Sequence, residues 1–190
     1  MEPVRLIRER EDIEAIKQVL KHNNLRGYCL FVLGINSGLR ISNLLSLTFQ
    51  DVADECGIVW DRVQLRERKT GKTKDFPLCE NAKLAVTEYL AVHPHLRPSS
   101  ILFHSQRKGN RPMTSGYIGT ILKGAAKEAG VDMHIATHTL RKTFGYQAYK
   151  SGVDITRIQR LLNHTTPYNT VSYIGITQEE LDNIYLNLEL

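Results

Sequence analysis

The sequence predicts a mainly α-helical domain with one small antiparallel β-sheet, an α+β fold. Apolar residues recur at helical spacing through most of the 190 residues, whereas strand-like alternation is concentrated in two segments on either side of Gly71. Hydrophobic residues make up 42% and charged residues 24% of the chain, so it can bury an ordinary core. We therefore expect one domain with at most a short appendage.

The first half of the chain carries the patterns of several helices and a β-hairpin. The predicted elements are helices over 11–23 and 26–36, a short helix from about 42, strands over 57–65 and 74–78, and a helix over 81–92. Gly38 follows the second helix and can adopt the left-handed C-cap conformation. The segment Thr70-Gly71-Lys72-Thr73 is typical of a turn, which completes the hairpin.

The second half is predicted to be helical apart from one short buried strand. The predicted elements are a strand over 99–104, helices over 114–129, 139–151 and 155–163, and a helical turn that begins at Pro167 and carries Tyr173. Thr114 or Ser115 is expected to cap the first of these helices, and Asp154 the third.

The C-terminal segment 177–190 predicts a tail helix, separate from a domain over 1–176. Four apolar residues of this segment recur at i, i+3, i+4 and i+7, which defines one face of an amphipathic helix. We call them the tail stripe: Leu181, Ile184, Tyr185 and Leu188. The segment also holds four acidic residues and no basic one.

Positive charge is segregated from the acidic tail. The whole chain carries a formal charge of +5, and the chain without 177–190 carries +9. The stretches 89–127 and 155–178 contain basic residues and no acidic one. Segregation of this kind favours a basic nucleic-acid-binding face, although a solvated basic surface is an equal alternative on charge alone.

Several classes of protein do not fit the sequence. Its three cysteines are widely spaced and form no C-x-x-C pair, so neither a disulfide framework nor a zinc knuckle is indicated. His134 and His138 could share a helical face, but the sequence between them lacks the glutamate of a zinc-protease motif. No signal peptide or run of membrane-spanning length is present. We therefore expect a cytoplasmic protein without a metal site or a membrane span.

Short motifs follow one another in a characteristic order. They are SGLRISNLLSL at 37–47, RKTGK at 68–72, HTLR at 138–141, GVDI at 152–155, LLNH at 161–164 and TVSY at 170–173. Tyr173 lies nine residues after His164. The motifs, their order and this spacing resemble the tyrosine recombinase (phage integrase) family, over roughly residues 10–174. The resemblance implies the catalytic-domain fold of that family, which is of the DNA breaking-rejoining type.

The resemblance also implies a reaction and a set of site residues. Members of the family cleave a DNA strand without metal or cofactor and hold it as a 3′-phosphotyrosine, which another strand's hydroxyl attacks. The roles carried over are nucleophile for Tyr173, phosphate clamp for Arg40 and Arg141, acid–base assistance for His138, hydrogen bonding to the phosphate for His164, and protonation of the departing 5′ oxygen for Lys69. Guanidinium groups suit the clamp because they stay charged and pair bidentately with phosphate oxygens.

Some assignments leave alternatives open. Lys72, and less so Lys74, compete with Lys69 because they share its hairpin. Tyr168 and Tyr185 compete with Tyr173 as nucleophile, while Tyr146 and Tyr149 are expected in the core. Arg40 alone could be a surface residue that caps a helix. Asn163 stands where the family often has glycine, and Lys142 where it often has His or Arg, so we expect altered local packing or DNA contacts there.

The expected partner is double-stranded DNA. By resemblance, the protein is a site-specific recombinase that is monomeric alone, assembles as a tetramer on paired sites and associates with the nucleoid. The family's separate N-terminal DNA-clasping domain is not found in the sequence, so binding is expected to be weak and sensitive to salt. The tail can dock on a neighbouring protomer or fold back on its own. A catalytically silent DNA-binding regulator and a type IB topoisomerase are the alternative functions.

Overall fold

The computed structural model describes residues 5–67, 71–105 and 110–188. Within these ranges it has ten helices and two strands: α1 (Arg10–Asn23), α2 (Leu25–Ser37), α3 (Ile41–Leu44), α4 (Phe49–Val52), β1 (Arg62–Arg66), β2 (Thr73–Pro77), α5 (Glu80–Ala91), α6 (Ser115–Glu128), α7 (Thr137–Lys150), α8 (Ile155–Leu161), α9 (Pro167–Ile174) and α10 (Gln178–Leu188). The strands form one antiparallel sheet. The prediction of a mainly helical α+β fold is confirmed. None of these helices combines the length and the apolar character needed to span a bilayer.

Helix α2 lies at the centre of the main core. Its middle residues are apolar around the whole helix, which is typical of a buried helix, and Leu30, Phe31 and Val32 have no exposed surface. Helices α1, α5 and α7 pack against it. Gly34 allows the approach of α7, because a Cβ atom there would lie 2.6 Å from Cδ1 of Leu140. The core therefore holds α2 and α7 in close contact.

The β-hairpin is shorter than predicted. Strand β1 pairs with β2 with Val63 opposite Phe76, but it begins at Arg62 rather than at 57. The Asp54 carboxylate accepts hydrogen bonds from the backbone N–H groups of Cys56 and Ile58, at 2.9 and 2.8 Å, which holds these residues in a turn. Of the predicted hairpin turn, residue 70 lies outside the described residues, while Gly71 has a φ of 68°.

The predicted strand over 99–104 is wrong. Leu102 and Phe103 are fully buried, as a core strand would be, but their backbone bonds go to two different segments. The Leu102 N–H donates to the Leu47 carbonyl at 2.8 Å, whereas the Phe103 carbonyl accepts from Met113 at 2.9 Å. Only isolated bridges result, and the one at Pro112 cannot extend because proline lacks an N–H.

Helix caps follow the sequence closely. Thr114 accepts from the Tyr117 N–H at 3.2 Å, and Asp154 accepts from the Thr156 N–H at 2.8 Å, as predicted. Helix α4 was not predicted, although the Asp51 carboxylate accepts from both the N–H and the hydroxyl of Thr48, at 2.7 and 2.8 Å. Such a capping box is a recognisable start signal.

A second, smaller core joins the C-terminal helices. Tyr146 of α7, Ile158 of α8, Leu162 and Ile174 of α9 are buried together with Leu6. Gly145 allows α9 to approach α7, because a Cβ atom there would lie 2.7 Å from Cγ2 of Ile174. This cluster sets the position of α9, the helix that carries Tyr173.

The tail forms the predicted amphipathic helix, α10. Its first turn is anchored to the domain through Glu180, which accepts from the Tyr146 hydroxyl at 2.9 Å and pairs with Arg8 at 3.1 Å. The tail stripe is exposed, with relative accessibilities of 42% for Leu181, 52% for Ile184, 81% for Tyr185 and 57% for Leu188. The helix therefore does not cover its apolar face against its own domain.

Candidate active site

The site lies where the carboxyl ends of α2 and α8 meet. Helix α2 ends at Ser37, and the following Gly38 has a φ of 59° and turns the chain toward Arg40. A Cβ atom at Gly38 would lie 2.4 Å from Cδ1 of Phe144, so both backbone and packing require glycine there. Helix α8 ends just before Asn163, which has a φ of 51° and precedes His164. Each helix thus stops in a left-handed turn that presents a cationic or imidazole side chain.

Two cations, the buried Arg141 and the half-buried Lys74, join these helix ends. The Arg141 guanidinium, on α7, donates to the carbonyls of Gly38 and Leu162. The Lys74 ammonium, on β2, donates to the carbonyls of Ser37 at 3.0 Å and Leu161 at 3.2 Å. Carbonyls at helix carboxyl ends lack intrahelical partners and carry partial negative charge, so they suit cationic donors. Arg141 and Lys74 therefore hold the two turns in fixed relation.

A buried carboxylate faces the same turns. Glu67 is 1% exposed, and its Oε1 atom accepts from Arg40 Nη1 at 2.9 Å and from Asn43 Nδ2 at 3.3 Å. Its Oε2 atom accepts from Asn163 Nδ2 at 3.0 Å. Sequence reasoning missed Glu67. The signal for it was its position as the lone acid between Arg62 and Lys74 in a basic hairpin.

The cations perturb one another. Burial lowers the pKa of Lys74 to about 8; the nearby charges of Arg141 and Arg40 act in the same direction, and Glu67 opposes them. Burial and the charge of Arg40 also lower the pKa of Arg141. The Arg141 guanidinium stays charged because its usual pKa lies far above neutral pH. The site is therefore a partly buried, net positive environment.

His164 packs against Tyr173 within this environment. The two rings meet edge to face, with centroids 5.0 Å apart and planes at 78°. Nδ1 of His164 bonds the hydroxyl of the buried Thr170 at 3.1 Å. Burial, followed by the charges of Arg141 and Arg40, lowers the pKa of His164 to about 4. The imidazole is thus neutral near pH 7.

Tyr173 is partly buried on α9. Burial raises the pKa of its phenol, and the positive charges of Arg141 and Arg40 oppose that rise. The ammonium of Lys142 lies 5.6 Å from the centre of the Tyr173 ring. The phenol is therefore protonated at rest and surrounded by positive charge, which favours the phenolate if an acceptor removes the proton.

The structure brings four of the six predicted residues together: Arg40, Arg141, His164 and Tyr173. His138 is exposed in the first turn of α7, three residues before Arg141 and hence on the same side of that helix. Lys69 lies outside the described residues, and its competitor Lys72 is exposed.

The structure also locates the competing tyrosines and tests whether Arg40 merely caps a helix. Tyr168 and Tyr185 are 79% and 81% exposed, while Tyr146 is buried, as expected of a core residue. Arg40 stands at the start of α3 but makes no side-chain capping bond; it binds Glu67 instead.

His134 and His138 do not share a helical face, because α7 begins at Thr137 and His134 precedes it. In residues 5–67, 71–105 and 110–188, no group of three or more His, Cys, Asp or Glu side chains is placed to hold a metal ion.

Known proteins resemble the chain in sequence and in fold. The model of the phage integrase family matches residues 7–180. The probable integrase/recombinase YoeC of Bacillus subtilis is 39% identical over 179 residues, which cover 94% of this chain and 93% of YoeC. The crystal structure of XerA recombinase has a TM-score of 0.79 at 22% identity and covers 99% of the chain. The XerH site-specific recombinase, in a post-cleavage complex with palindromic difH substrate, has a TM-score of 0.77 at 19% identity and also covers 99%.

The extent of these matches differs. The chain spans nearly the whole of YoeC, but only 64% of the XerA chain and 53% of the XerH chain. The family model and the identity to YoeC cover the motifs that end at Tyr173. The chain therefore belongs to the phage integrase family of tyrosine recombinases.

Proposed function

We propose that this chain is the catalytic domain of a site-specific recombinase, which cleaves and rejoins double-stranded DNA through Tyr173. The observation that carries this function is the ring contact between Tyr173 and a neutral His164, whose centroids lie 5.0 Å apart. The positive charges of Arg40 and Arg141 act on both side chains. The XerH structure, which shares the fold, holds a DNA substrate after cleavage, which supports DNA as the partner. We assign the domain to residues 1–176 and the tail to 177–190.

Cleavage begins with the attack of the Tyr173 phenolic oxygen on a DNA phosphorus atom. The new phosphorus–oxygen bond joins the DNA 3′ end to the protein, and the bond to the 5′ oxygen breaks. Arg40 and Arg141 neutralise the non-bridging oxygens, on which charge accumulates in the transition state. His138 accepts the phenolic proton, and His164 donates a hydrogen bond to the phosphate.

Lys69 supplies a proton to the departing 5′ oxygen, so that the strand leaves as a hydroxyl. Rejoining is the reverse reaction with a different strand: its 5′ hydroxyl attacks the phosphotyrosine and releases Tyr173. The phosphotyrosine retains the energy of the broken bond, so no nucleotide cofactor is needed. Lys72 is the alternative donor on the same hairpin.

The tail is proposed to dock on a neighbouring protomer in a tetramer assembled on two paired DNA sites. The tail stripe is exposed in the single chain, and apolar side chains that line one face of a helix favour an interface. The bond from Glu180 to Tyr146 anchors the start of α10 next to α7 and α9. A docked tail would therefore couple assembly to the helix that carries the nucleophile. Because its proposed substrate is DNA, we infer that the protein acts in the cytoplasm, in association with the nucleoid.

The test of the function is capture of the covalent intermediate. The protein is incubated with a nicked duplex that carries its selected binding site, so that the short cleaved fragment diffuses away. Wild type should form an adduct that survives denaturation, and Tyr173→Phe should form none while it binds the same DNA. Tyr168→Phe is the matched control, since the exposed Tyr168 ring lies on the same helix.

Three results would contradict parts of this proposal. A wild type that binds the DNA without an adduct would instead be a regulatory module. An adduct formed by Tyr173→Phe would show that another tyrosine is the nucleophile. Relaxation of a supercoiled plasmid that lacks any specific site would point to a topoisomerase.

A further inference from the structure

Asn163 adopts a backbone conformation that glycine would adopt more easily. Its φ of 51° is the one positive φ of a non-glycine residue in the part of the chain that the structure describes. L-residues pay a steric cost in this region, and asparagine tolerates it better than most. The turn itself therefore does not explain why the position carries a side chain.

The Asn163 side chain makes a specific contact across the site. Its Nδ2 atom donates to Oε2 of the buried Glu67 at 3.0 Å, and the other carboxylate oxygen accepts from Arg40 at 2.9 Å. The carboxylate thus bridges the turn before His164 and the guanidinium at the start of α3. Both contacts are hydrogen bonds to a charged, buried acceptor, the kind that constrains geometry most strongly.

We propose that Glu67 and Asn163 form a positioning pair that sets the separation of Arg40 and His164 around the DNA phosphate. Neither side chain has a role in the chemistry itself. The pair acts through its neighbours, because Arg40 is bound directly by Glu67 and His164 follows Asn163 in the chain. This inference rests on the proposed function, since it concerns the rate of the cleavage assigned to Tyr173.

The pair can be tested without disturbing the turn. Asn163→Gly keeps a residue that favours a positive φ but removes the bond to Glu67, so the variant should fold normally. Its cleavage of the nicked substrate at saturating protein should be about tenfold slower, because small displacements of catalytic groups cost large factors in rate. The dissociation constant for DNA should change by less than about twofold, since phosphate contacts dominate binding.

A polarity swap gives the sharper test. Asn163→Asp places a carboxylate against Glu67 and should slow cleavage by about a hundredfold, because like charges repel in a buried site. In the double variant Glu67→Gln, Asn163→Asp, the glutamine amide donates to the new aspartate and its carbonyl still accepts from Arg40. Cleavage should then return to within about threefold of wild type, as coupled neighbours show in a double-mutant cycle.

Slow Asn163→Gly and a rescued double variant support the pair. Asn163→Gly that cleaves at the wild-type rate would overturn it, because asparagine would then serve only its own backbone. A double variant no faster than Asn163→Asp, while both remain folded by circular dichroism, would also overturn it. A wild type that forms no adduct would refute the proposed function instead, and chemical shifts of the His164 ring nitrogens would still report whether Asn163→Gly displaces the imidazole.

Discussion

His164 shows how strongly a single residue depends on its neighbours. The imidazole is half-buried, and burial, followed by the charges of Arg141 and Arg40, lowers its pKa to about 4. Its Nδ1 atom also shares a hydrogen bond with the Thr170 hydroxyl. A bound DNA phosphate would reverse part of this effect, because its negative charge offsets Arg40 and Arg141. The neutral state of His164 in the free protein therefore reflects an anion-binding site whose positive charges are not yet offset by a bound phosphate.

The His164 pKa provides a prediction for the free and the DNA-bound protein. Nitrogen-detected NMR should show an imidazole that protonates near pH 4 when free, and at a higher pH in the complex of Tyr173→Phe with DNA. An unfolded imidazole has a pKa of about 6.5. The neutral form is favoured in the fold, so its contribution to stability is complete above pH 6.5 and declines as the pH falls toward 4. Protonation of the free protein near pH 6.5 would contradict this account.

At the scale of elements, the position of Tyr173 depends on how α9 packs on α7 and α8. Ile174, the residue after Tyr173, is fully buried against Gly145 and Leu162. Leu162 also supplies a carbonyl to Arg141, so the same residue contacts the clamp and the nucleophile's helix. A change in helix packing should therefore move the nucleophile relative to the phosphate.

Gly145→Ala tests this coupling. The added Cβ atom would lie 2.7 Å from Cγ2 of Ile174, so α9 must shift. We expect a loss of about 1–3 kcal/mol in the free energy of unfolding, which is typical of overpacking, and slower adduct formation by the folded variant. Denaturant unfolding and the nicked-substrate assay measure the two effects.

Gly124→Ala is the control for Gly145→Ala. Gly124 is exposed on α6, and a Cβ atom there would meet nothing within 4 Å. Alanine favours a helix over glycine by about 1 kcal/mol, so this variant should be as stable as wild type or more so, with unchanged cleavage. If Gly145→Ala behaved in the same way, α9 would not be held by this contact.

At the scale of the whole molecule, charge and apolar surface are separated. Positive charge surrounds Tyr173, while the acidic tail helix begins at Gln178 and leaves its tail stripe exposed. The chain carries +5 overall, and this separation fits the proposal that one region binds DNA and the tail docks on a neighbouring protomer. In a single protomer the tail stripe stays exposed to solvent.

Docking between protomers predicts an intermolecular cross-link. A photoreactive amino acid in place of Tyr185, which is 81% exposed, should join differently tagged protomers when both are bound to DNA with paired sites. The same probe at the exposed Glu55, in the turn before β1, should give few such products. Exclusively intramolecular products from position 185 would refute tail exchange.

Local sequence determined most of the helices, their caps and the order of the site motifs. Thr114 and Asp154 cap their helices through contacts within a few residues, and Gly38 ends α2 through its own positive φ, so periodicity and capping signals were sufficient to locate them. The strand over 99–104 failed because its buried residues bond to two distant segments, a choice that local pattern does not encode.

The sequence by itself determined the family motifs, the candidate Arg40, Arg141, His164 and Tyr173, and the amphipathic tail. Only the tertiary structure decided that Glu67 and Lys74 join the helix ends at the site. The physical reason is that both act through bonds between residues 27 to 96 positions apart, and their energies depend on burial. A charge in a basic hairpin is visible in the sequence, but whether it is buried and which partner it meets is a property of the fold.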